Sequence, residues 1–108
     1  QNVITPTTLL TLPEFDWPYT LILARVNIAT CVNTEFSATV SLENNGSVSD
    51  TVTVILPANS SSNTSIPVTF AVIQNAGPMT LVVGSNTGNS VIVSGGYIAA
   101  IGMGSFLA

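Results

Sequence analysis

Between Thr51 and Val83 apolar and polar residues alternate in three successive runs, each closed by turn-forming residues. In Thr51–Leu56 the alternation puts Val52, Val54 and Leu56 on one face of a pleated strand and Thr51, Thr53 and Ile55 on the other. Pro57, which has no N–H to donate, ends that ladder. The Asn-, Ser- and Thr-rich run from Ala58 to Ser65 follows, and its side chains compete for nearby backbone groups and favour turns. Alternation resumes with Val68, Phe70 and Val72 on one side, until Asn75-Ala76-Gly77-Pro78 turns the chain back into Met79–Val83. These runs predict a three-strand unit around which the rest of the chain is arranged.

The first eighteen residues carry Pro6, Pro13 and Pro18 and lack strong periodicity, which excludes a helix or a long central strand and predicts an extended N-terminal arm. The arm is too apolar to lie free in water. Val3, Ile4, Leu9, Leu10, Leu12, Phe15 and Trp17, with Tyr19 at the junction, are its candidate interaction residues. Either the arm folds back on its own domain, or it adds a strand to a neighbouring subunit. In the body, residues 19–108, short strands are expected at Tyr19–Ala24, Val26–Val32 and Ser37–Leu42, with Arg25 at a bend. Glu43-Asn44-Asn45-Gly46-Ser47 is a clear turn, and Gly95-Gly96 separates Ser90–Ser94 from Tyr97–Ile101. About eight short strands without a helical period predict a single all-β domain, a β-sandwich or jelly roll.

Composition narrows the function. Only 6% of the 108 residues are charged, against about 25% in ordinary soluble domains. Ser, Thr and Asn must therefore make much of the solvated surface, with other subunits covering part of the rest. With no lysine and Arg25 as the single base, the chain is not expected to bind nucleic acid or anionic membranes through charge. Its apolar runs are too short for the roughly 20 residues of a spanning helix, and its alternating runs fall short of the roughly 9–11 residues of a membrane barrel strand. A start at Gln1 suggests removal of a preceding segment.

Enzyme chemistry is excluded mainly by missing groups. Without histidine or lysine, neither a hydroxyl nucleophile nor Cys31 has its usual base, so no catalytic residue and no cofactor is assigned. Cys31, within an apolar run, reads as an inert buried thiol. One cysteine cannot build a zinc site, and Glu43, Asn44, Asn45 and Asp50 read as a solvated loop rather than a calcium site. Glu14 and Asp16 share a face of an extended segment but have no sugar cleft beside them. Asn45, Asn59 and Asn63 head glycosylation sequons in loops, and Phe15, Trp17 and Tyr19 read as packing where the arm meets the body.

The segments YTLILA, TVTVILPANSSSNTS and PVTFAVIQNAGPMTLVVGS, followed by Gly95-Gly96, resemble the short all-β modules of tailed-bacteriophage virions, over Tyr19 to Ile101. The resemblance implies a non-enzymatic structural protein of fibres or capsid surfaces, commonly a trimer. The ending GMGSFLA departs from the fibre version, where a Trp- or Tyr-bearing last strand is usual. The apolar arm is similar to that of capsid cement proteins. The leading expectation is therefore a capsid decoration or cement subunit on the virion surface, a homo-oligomer bound to the major capsid protein. Removing residues 1–18 should then abolish shell binding and leave the body folded. The alternatives are a phage fibre domain and a secreted, pilin-like filament subunit on the cell surface, joined to identical neighbours by donor-strand complementation.

Overall fold

A computed structural model describes residues 1–13, 19–62, 65–74 and 77–103. Eight strands follow in order: β1 (Asn2–Val3), β2 (Thr7–Leu12), β3 (Tyr19–Ala29), β4 (Phe36–Asn44), β5 (Ser47–Leu56), β6 (Ile66–Gln74), β7 (Met79–Ser85) and β8 (Val91–Met103). One turn of 3₁₀-helix, Ser60–Ser62, interrupts them. They form two four-stranded antiparallel sheets, β1-β8-β3-β6 and β2-β7-β4-β5, packed face to face. The pairs β1·β8, β2·β7, β3·β6 and β4·β5 are those of one long antiparallel hairpin wound around a core, which is the connectivity of a jelly roll. The expected all-β sandwich is therefore the observed fold.

The core follows from period-two alternation on the central strands. In β3 the even positions Ile22, Ala24, Val26 and Ile28 point inward, and in β4 Phe36, Ala38, Val40 and Leu42 do the same. Met79, Leu81 and Val83 of β7, Val68 and Phe70 of β6 and Leu56 of β5 complete the layer between the sheets. Ala24 and Ala38 stand among larger side chains, the alternation of sizes that lets two inner faces interdigitate.

Several local expectations change. The three strands of Thr51–Val83 exist, and their apolar faces point inward as the alternation requires, but they do not form a unit. β5 is an edge of one sheet, β6 is an edge of the other, and β7 lies between β2 and β4. The chain does not turn back from β6 into β7, since β6 pairs with β3 alone. The organising strands are β3 and β4, each hydrogen-bonded on both sides. Arg25 is no bend: Tyr19–Ala29 is one strand, and Arg25 falls on its outward parity between inward Ala24 and Val26.

Gly95-Gly96 is likewise no turn. β8 runs through it, with Val26 opposite Gly96 and Asn27 opposite Ser94, so Gly95 is the extra residue of a β-bulge at φ +49°. The bulge reverses the facing of the strand. Val91 and Val93 point inward before it, and Ile98 and Ala100 after it, which turns Tyr97 and Ile101 outward. The Asn45-Gly46 turn is as expected, a two-residue hairpin with φ of +51° and +88°, the signature of type I′.

The N-terminal segment is built into the body. β1 extends one sheet at β8, and β2 extends the other at β7, so residues 1–12 strap both sheets together. Ile4 C=O accepts the Ser85 N–H at 2.8 Å where the strap crosses. At that crossing a Cβ on Gly84 would lie 3.0 Å from the Cα and N of Pro6, so any side chain there would press on the strap's backbone.

Candidate functional site

The two outer faces of the sandwich differ in kind. On the β2-β7-β4-β5 sheet the outward positions of β4 and β5 include Ser37, Thr39, Ser41, Thr51 and Thr53. Their hydroxyls bond among themselves and to the adjoining loop. Ser41 Oγ lies 3.2 Å from Thr51 Oγ1, Thr39 Oγ1 donates to Asn86 Oδ1 at 3.0 Å, and Asn86 Nδ2 donates to Ser37 Oγ at 3.0 Å. That face is mainly polar, as an antiparallel sheet ordinarily presents, although Val48 and Ile55 stand exposed along its β5 edge.

The outer face of the β1-β8-β3-β6 sheet breaks that rule. The odd positions of β3 align with their neighbours in cross-strand rows. Ile101, Leu21 and Ile73 make one row; Ala99, Leu23 and Ala71 the next; Tyr97, Arg25 and Thr69 a third. Tyr19 stands beside the first row at the start of β3. Ile101 and Tyr97 remain about half exposed, at 51% and 49%, and Ile73 and Tyr19 each keep 42%. Leu21 and Leu23 are half-buried by these neighbours. Two adjacent rows of only aliphatic residues, edged by two tyrosines and a single cation, make a contiguous apolar patch of the kind that marks an interaction surface.

The patch depends on the bulge at Gly95. Without that extra residue Tyr97 and Ile101 would point into the core, and Ile98 and Ala100 would face out in their place. The sequence carries the signal in two alternations of opposite phase, Val91/Val93 and Ile98/Ala100, joined at a glycine pair.

The residues expected to act together as an arm are not brought together. Val3 is 4% exposed and belongs to the core, and Leu9, Leu10 and Leu12 pack against it half-buried. Ile4 is exposed at the crossing, and Tyr19 lies on the apolar outer face. Phe15 and Trp17, with Glu14 and Asp16, lie outside the described residues. Removing residues 1–18 would thus uncover two sheet edges and part of the core, so an intact body after that deletion is no longer expected.

Cys31 is exposed rather than buried. β3 ends at Ala29, and the Thr30 hydroxyl then fixes a loop by donating to Ser90 C=O at 2.9 Å and accepting the Val32 N–H at 3.1 Å. The apolar run continues past the strand, which is why sequence alone misplaced the thiol. The loop of Asn, Ser and Thr after Pro57 is more than a turn. Its Ser60 is buried, with Oγ accepting the Thr30 N–H at 2.9 Å, while Asn59 and Ser61 donate backbone N–H groups to Val32 and Thr30 carbonyls.

Among the described residues no three His, Cys, Asp or Glu side chains converge on a metal-sized site. Around the expected calcium alternative, Asn44 Nδ2 donates to Pro78 C=O and Asp50 Oδ1 accepts the Thr51 N–H. A cavity of about 180 Å³ lies beside the bulge, walled by Leu9, Leu10, Val26 and Val93 with Gln1 and Ser94 at its polar side. Asn45 and Asn59 are exposed in loops, and Asn63 lies outside the described residues. No family model matches the chain, and no curated protein and no solved structure is significantly similar to it.

Proposed function

We propose that the chain is a non-enzymatic structural subunit that acts by being built into a larger assembly, most specifically a capsid decoration or cement protein on a virion surface. The carrying observation is the uncovered apolar face formed by the rows of Leu21 and Leu23. A chain with six charged side chains gains nothing by exposing Ile73 and Ile101 to water unless another surface covers them. Contacts of modest strength suffice when many copies act together, since each bound subunit raises the effective concentration of the next contact.

A filament joined by donor-strand complementation is the second reading, favoured by one observation. β1 and β2 are both edge strands supplied by a single N-terminal segment, each paired on one side only, so the same segment has the form of a donated strand. Electron microscopy of native particles labelled with antibody against the chain separates the two. Label distributed over an icosahedral shell is expected. Label along a thread supports the filament, and label on neither overturns both.

A further inference from the structure

We infer that a second copy of this chain covers the apolar face, packed sheet to sheet about a two-fold axis. This rests on the reading that the face is an assembly contact and names its occupant. The argument is one of register. Take an axis in the plane between two facing sheets, perpendicular to the strands and midway between the Leu21 and Leu23 rows. Rotation about it reverses the strand direction and leaves each strand facing its own counterpart. Ile101 then opposes Ala99 of the second copy, and Ile73 opposes Ala71 of the second copy. Leu21 and Leu23 oppose one another at the centre. Large side chains thus meet small ones on both flanks, the condition for interdigitation of two sheet faces.

The same operation settles the one charge on the patch. Arg25, two positions beyond Leu23, falls opposite Tyr19 of the second copy, two positions before Leu21, and the symmetry makes this pair twice. A guanidinium over a tyrosine ring is attractive, whereas a register with the axis on the Arg25 row, three residues along β3, would set the two cations against each other. The area is also adequate: side chains of this size and exposure present roughly 500 Å² per copy, and two copies bury about 1,000 Å², the lower bound for a specific interface.

Sedimentation velocity on the purified full chain, over a concentration series, tests the pairing. A monomer–dimer equilibrium is expected. A species that stays monomeric up to about 1 mM, or one that forms only trimers, overturns the proposal. Register is tested by exchanging large and small side chains on β8. Ala99→Ile alone should weaken dimerisation at least tenfold, because two large side chains then collide across the axis. Ala99→Ile with Ile101→Ala should restore it. Failure of the double variant to recover, with circular dichroism showing a folded chain, overturns this register. Arg25→Glu gives an independent reading on an exposed position, and an unchanged dimer there overturns the pairing with Tyr19. Should the chain be monomeric in solution and yet be labelled on native shells, the second copy is refuted and the decoration reading stands.

Discussion

Ser60→Ala isolates a contact that looks incidental in the sequence. Ser60 is one of three consecutive serines, yet its Oγ is the acceptor for the Thr30 N–H at 2.9 Å, and both residues are buried. Thr30 has just left the ladder of β3, so this N–H has no strand partner to return to. Alanine removes the acceptor and leaves the buried Thr30 N–H without it. A buried donor without a partner costs about 1–3 kcal/mol, and the volume lost is small, so a loss of about 2 kcal/mol is expected. In a domain of this size that lowers the melting temperature by roughly 8–16 °C. The assay is urea denaturation followed by tryptophan fluorescence and far-ultraviolet circular dichroism, with Ser61→Ala as the control. Ser61 is exposed and contributes its backbone N–H rather than its hydroxyl to the loop, so that variant should stay within about 0.5 kcal/mol of the parent. Equal stabilities for the two variants would refute the claim that Ser60 pins the loop to the end of β3.

Gly84→Ala should cost about 1–3 kcal/mol, because the new methyl meets the backbone of Pro6 at 3.0 Å, and hydrogen exchange should rise in β1 and β2 before the rest of the fold. Leu42→Ala, at a fully buried position on β4, should cost about 2–5 kcal/mol in urea denaturation without changing the fold class by circular dichroism. Asp50→Val should speed aggregation, read by thioflavin fluorescence and light scattering. Asp50 is the only charge on the ten-residue edge strand β5, and its carboxylate occupies the Thr51 N–H. An unchanged aggregation rate would show that β5 is protected by other means.

The alternation of single residues was enough to identify the fold class, the inward faces of β5 and β6 and the Asn45-Gly46 hairpin. Each of these is set within a few residues of chain, by pleat geometry or by a turn that demands positive φ. Errors arose where local cues had more than one tertiary outcome. A glycine pair closes a turn or makes a bulge, and only the pairing of β8 with β3 decides which. Arg25 marks a bend or an outward position, and the continuous ladder on both sides of β3 decides that. The apolar N-terminal segment satisfies its hydrogen bonds on any exposed edge, and the structure seats it on β8 and β7 of its own body.

The exposed apolar face shows the division most clearly. Tyr19, Ile73 and Ile101 are far apart in the chain, and nothing local to any of them marks it as outward-facing. Sequence by itself determined that this is a charge-poor β-sandwich without histidine or lysine. The tertiary structure decided which apolar residues the core consumed and which were left exposed. Side-chain facing is a property of register, and register is fixed only when distant strands pair.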